Sequence, residues 1–109
     1  MILEYKYEDK FHNGELTIGL SLDGYEIRGS NYKRIILRNP YFKKEDDHYK
    51  NIRAFGFPAS IGNWGFINGC FCFHENEVIG MGEIKNKLSV ANYTTVMFEI
   101  GNFEIWFNE

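Results

Sequence analysis

The chain has 109 residues, a formal net charge of −3 and two cysteines. That length fits one domain spanning residues 1–109, and such a domain can bury enough surface to stand without disulfides or a structural metal. The small charge argues against a general polyanion binder, and no segment nears the ~20 apolar residues of a membrane span or supplies a secretory leader, so the expected home is the cytoplasm or a particle assembled there.

Ten Phe, seven Tyr and two Trp favour pleated, half-buried surfaces over helices. Residues 2–7 (ILEYKY) alternate as a strand, and His12-Asn13-Gly14 supplies a turn. In ELTIGLSL, Leu16, Ile18, Leu20 and Leu22 recur at period two before Asp23-Gly24 turns the chain. Tyr25 to Ile27 starts a short strand, and Tyr32 to Leu37 reads as another. Residues 38–51 (RNPYFKKEDDHYKN) hold Pro40 and a charge run, which predicts a loop where a binding surface could be built. IRAFGF is strand-like until Pro58. WGFINGCFCFH is apolar on both alternations, with Ile67, Phe71 and Phe73 expected on one face and Phe66, Cys70 and Cys72 on the other, as in a central strand. Residues 66–84 read as a hairpin turning at Glu75-Asn76-Glu77, and the last third as a second hairpin around Gly101-Asn102. Short strands with turn signals between them predict an all-β fold: a single-domain antiparallel β-sandwich of jelly-roll or immunoglobulin-like type, or alternatively a small β-barrel. The expected core comprises Leu16, Ile18, Leu20, Trp64, Ile67, Cys70, Cys72 and Phe73.

Charge is unevenly placed. Between Arg28 and Arg53 lie eight Lys and Arg against three acidic residues, whereas the remainder holds four basic and twelve acidic side chains. Such a division suits docking on copies of itself or on an acidic partner. The candidate contact surface is Arg38, Tyr41, Phe42, Lys43, Lys44 and Tyr49. Its aromatic and basic composition also fits a surface for stacking bases, but interrupting acids and the acidic chain argue against nucleic acid.

No constellation points to catalysis, a cofactor or a metal. Cys70-x-Cys72-x-His74 has the spacing of a shared ligand pair on a strand, yet a structural zinc site needs a fourth ligand and the chain has no further cysteine. Reduced thiols acting as small core hydrophobes are the expectation. Glu45-Asp46-Asp47-His48 lacks the alternating ligands and glycine of a calcium loop, and no serine lies in a nucleophile elbow.

In order, several landmarks resemble a family of small tailed-bacteriophage virion proteins, of head decoration, head fibre or tail fibre type. These are LTIGLSLDG (16–24), for a Leu-x-x-Gly-Leu strand and polar turn; GSNYKRIIL (29–37), for a glycine turn leading to Tyr-x-Arg; and FGFPASIGNWGFI (55–67), with Ala59 and a Trp64-Gly65-x-Ile67 signature. Met81-Gly82-Glu83-Ile84 stands for the return strand and FEIGNFEIWF for the closing pair, while His74 replaces the family's Asp and residues 1–13 look extended where many members begin with a helix. The resemblance implies apolar residues at Cys70 and Cys72. It further implies a non-enzymatic virion structural protein, made in a bacterial cytoplasm, whose partners are its own copies and other capsid or tail proteins. A freestanding module for carbohydrate, peptide or nucleic acid, built on Tyr41, Phe42 and Tyr49, is the alternative.

Overall fold

Period-two burial writes the first long strand. In β2 (Glu15–Leu22), Leu16, Ile18 and Leu20 are at most 1 % exposed, and the residues between them face the opposite side of the sheet. The computed structural model describes residues 2–5, 15–38, 41–74 and 76–107. The remaining strands are β1 (Ile2–Tyr5), β3 (Tyr25–Glu26), β4 (Ile35–Arg38), β5 (Phe42–Glu45), β6 (His48–Asn51), β7 (Phe55–Gly56), β8 (Gly65–His74), β9 (Glu77–Val90), β10 (Met97–Phe98) and β11 (Glu104–Phe107). Residues 6–7 of the first predicted strand, the His12-Asn13-Gly14 turn, Pro40 and Glu75 lie outside the described residues.

The described residues form an all-β structure without helices, and none of it is a helix able to cross a membrane. A nine-stranded sheet runs β3-β2-β8-β9-β1-β11-β6-β5, with β4 also paired to β2, and β7 and β10 form a separate pair. Every pairing is antiparallel except β1 with β11. The long sheet ends on β3 and β4 at one side and β5 at the other, so it is not a closed barrel. Both of its ends and the β7–β10 pair contribute to one hydrophobic cluster, the arrangement of a small β-sandwich. Asp23 and Gly24 both have positive φ (50° and 86°), and the register Leu22↔Tyr25 makes them a tight turn of the kind Asp-Gly favours.

Three sequence expectations change. First, the loop predicted over 38–51 is a hairpin where it is described: β5 and β6 pair from Phe42↔Asn51 to Glu45↔His48. β5 is an edge strand, and edge strands carry charge to discourage further pairing, so Lys43, Lys44 and Glu45 mask its strand character. Second, the faces of β8 are not those of unbroken alternation. Opposite β9 the register jumps from Ile67↔Leu88 to Gly69↔Glu83, an irregularity that brings Ile67 into the hydrophobic cluster with Cys70 and Cys72. Phe71 and Phe73 stay buried but outside that cluster, and Phe66 is 52 % exposed. Third, Gly101-Asn102 is a turn but not a hairpin turn. β10 pairs with β7, whereas β11 pairs with β1 and β6, because the backbone between them is tied to Asn51.

The landmark residues from three separate stretches meet at one point. β4 pairs with β2 over residues 15–18 and β3 over 21–22, which leaves the Leu20 N–H on that edge without a ladder partner. The Tyr32 hydroxyl accepts from it at 2.9 Å and donates to Glu26 Oε2 at 2.7 Å. Arg34 grips the same carboxylate, Nη2 to Oε1 at 2.8 Å, and its guanidinium lies 3.7 Å from the Phe73 ring centre. A Cβ at Gly19 would sit 2.6 Å from Glu26 and 2.9 Å from both Tyr32 and Phe73, so only glycine leaves room. The Trp64 indole donates to the Ser30 carbonyl at 3.0 Å, packs edge-on to Tyr32 and fills the space a side chain at Gly29 would occupy.

Candidate contact surface

The residues expected to form a contact surface divide between core and rim. Phe42 is only 8 % exposed and packs against Phe55 and Phe103, so it is a core residue and not a docking one. Tyr41 and Tyr49 are half-buried against the same cluster. The aromatic platform imagined on this segment is therefore turned inward. Phe42 at the start of β5 is buried, while Lys43 and Lys44 of this edge strand and Arg38 of β4 remain exposed.

The positive sector is also broken up in space. Arg34 is committed to Glu26, and Arg38 lies 3.3 Å from Glu15. Lys50 stands 3.9 Å from Glu45 and 3.7 Å from Glu104, while Lys44 and Arg53 lie over the Tyr49 and Tyr41 rings. Lys43, cross-strand from Lys50, is exposed and has no ion pair among the described residues. His48 stacks on Trp106 with ring centres 4.4 Å apart, and its Nδ1 lies 2.9 Å from Asp47. That hydrogen bond holds the Asp47 carboxyl below the usual carboxylate range.

Three groups of nucleophilic or basic type, Cys70, Ser60 and Glu26, are engaged in holding the fold. Burial pushes the Cys70 thiol up to about 12, and Cys70 and Cys72 sit side by side on the inner face of β8. Ser60 is fully buried; its hydroxyl donates to the Ala91 carbonyl and accepts from the Thr94 N–H. Glu26 is held below the ordinary carboxylate range, first by the Arg34 hydrogen bond and then by Tyr32, against the opposing effect of burial. Tyr32 is raised by burial and by its bond to Glu26. Among the described residues no group of three or more His, Cys, Asp or Glu side chains is placed to hold a metal ion.

A concave site lies on the outer face of β2–β8–β9, opposite the core. Cross-strand partners share a face, so Ser21, Gly69 and Glu83 form one row and Gly19, Phe71 and Met81 the next. Gly69 leaves the middle of the first row low: a Cβ there would lie 2.7 Å from both the Gly82 carbonyl oxygen and Ser21 Oγ. The result is a groove of about 750 Å³ lined by Ser21, Asp23, Gly24, Asn68, Gly69, Met81, Gly82 and Glu83. Its rim is fixed by reciprocal bonds: the Asp23 N–H donates to Asn68 Oδ1 at 2.9 Å, and Asn68 Nδ2 donates to Asp23 Oδ1 at 2.8 Å. Sequence reading missed this site because its lining comes from three separate strands; Asn68-Gly69 interrupting an apolar strand was the available signal. Comparison with family models, with curated proteins and with solved structures finds no match to this chain.

Proposed function

We propose that this chain is a non-enzymatic structural component of a bacteriophage virion, of head decoration, head fibre or tail fibre type, and that it works through protein–protein contacts. The observation that carries the reading is the convergence of the family landmarks. Gly19, Tyr32, Arg34 and Trp64 come from three separate motifs, yet they close one network around Glu26 and Ser30. A resemblance made of such residues is one of architecture, and architecture is what a particle component must keep while its contacting surface varies. Ser60, Cys70 and Glu26 serve the fold, which favours a structural role over a chemical one. The inward packing of Phe42, Tyr41 and Tyr49 weighs against the freestanding module built on those aromatics.

The test is particle association. Tagged protein produced during infection by its phage, or mixed with particles lacking it, should sediment with them through a density gradient at a fixed copy number. Protein that stays at the top of the gradient, with particles of normal composition below, would remove the virion reading.

A further inference from the structure

The groove on the outer face of β2–β8–β9 has a chemical sign as well as a shape. Asp23 and Glu83 put two carboxylates on its walls, and among the described residues no Lys, Arg or His lines it. The Ser21 hydroxyl, at its floor, makes no hydrogen bond among the described residues, and Met81 is 54 % exposed along one side. We propose that this groove is the docking site for an extended, lysine- or arginine-bearing segment of a partner protein, a proposal that rests on the reading of the chain as an assembly component.

The fit follows from what each wall offers. A long basic side chain presents an apolar stem and a charged head, and Met81 beside the carboxylates supplies a surface for the first and acceptors for the second. Asp23 is held in place by Asn68 before any partner arrives, so little side-chain ordering has to accompany binding. Anionic partners, nucleic acid among them, meet the two negative charges of Asp23 and Glu83, with no cation lining the groove among the described residues. Strand addition by a second copy is opposed elsewhere, because the edge strand β5 carries Lys43 and Lys44 and the opposite edge strand β4 ends on Arg38.

The experiment is a titration of isotope-labelled protein, followed by amide chemical shifts, with an uncharged-ended peptide that alternates threonine and lysine. Shifts should concentrate at Ser21, Asp23, Asn68, Gly69 and Met81 to Glu83, and should vanish when glutamate replaces lysine in the peptide. Glu83→Gln together with Asp23→Asn should weaken binding about fivefold, since two exposed ion pairs of ~0.5 kcal/mol each amount to ~1 kcal/mol. Asn-Gly keeps the turn chemistry of Asp-Gly, so the double variant retains the fold, and Glu99→Gln on the exposed surface away from the groove should leave binding unchanged. Three results would overturn the proposal: no lysine-dependent shifts in the groove; spermidine binding there as tightly as the peptide, which would assign the site to free polyamines; or sedimentation showing self-association abolished by Glu83→Gln, which would make the occupant a second copy. A protein that ignores the peptide yet travels with particles loses only the groove assignment. One that binds the peptide and stays off particles loses only the virion reading.

Discussion

The β2–β8 layer and the aromatic block around Phe103 are equally dry but differently held. In the first, Leu16, Ile18, Leu20, Ile67, Cys70 and Cys72 lie on strands of eight and ten residues whose ladders run in register from Thr17↔Phe73 to Ser21↔Gly69. In the second, Phe42, Phe55, Phe98 and Phe103 meet at ring separations of 5.2–6.4 Å, and β7 and β10 have two residues each. There the work of a ladder falls to one buried side chain. Asn51, 1 % exposed, accepts from the Phe103 N–H at 3.0 Å and donates to the carbonyls of Glu99 and Arg53 at 2.9 and 3.0 Å. Apolar surface alone does not order a loop; a satisfied buried amide does, because leaving those backbone groups unpaired is costly.

Substitutions separate the two regions. The largest effect is expected at Phe103, which is fully buried against three other rings: Phe103→Ala should cost about 3–5 kcal/mol in urea unfolding. Asn51→Ala should follow at ~3 kcal/mol, since one N–H and two carbonyls lose their partner together. Its hydrogen-exchange signature should be local, with faster exchange at Gly101 and Phe103 while Leu16 to Leu20 stay protected. Ile18→Val, the same kind of trimming in the layer held by ladders, should cost only ~1 kcal/mol and leave exchange elsewhere unaltered.

The smallest effect concerns the Tyr32–Glu26–Arg34 network. A carboxyl held below its unfolded value contributes stability that is present above the unfolded value and lost as pH falls through the folded one. The stability gap between the wild type and Glu26→Gln should therefore be open at neutral pH and close below about pH 4. An unchanged gap in acid would mean that Arg34 does not hold the carboxylate charged.

The same contrast explains what could be read from the text. β2 and its turn into β3 were legible because Leu16 to Leu20 alternate and Asp23-Gly24 has a fixed turn chemistry, and the β8–β9 hairpin because a polar Asn76 turn follows an apolar strand. β5 and β6 were not, because FKKE and HYKN owe their strand state to pairing at a sheet edge and not to an apolar face of their own. The register jump after Ile67 reversed an expected face assignment, and the parallel contact of β1 with β11 joins residues about a hundred positions apart, beyond the reach of local pattern. Of the eight expected core residues all are buried, Phe73 on the outer side under Arg34, whereas the groove went unseen since Ser21, Asn68 and Glu83 meet only after the strands pair.

Under the proposal made for the groove, the inner face of β2–β8–β9 is core throughout, while the outer face divides between the Arg34–Phe73 packing that serves the fold and the Ser21–Gly69–Glu83 row that meets a partner. Hydrogen exchange compared between the free protein and the protein seated on particles tests it most directly. Added protection should appear at Asp23-Gly24, Asn68-Gly69 and Met81 to Glu83, with none gained along Leu16 to Leu20. Protection appearing instead along Phe42 to Asn51, or nowhere, would contradict it.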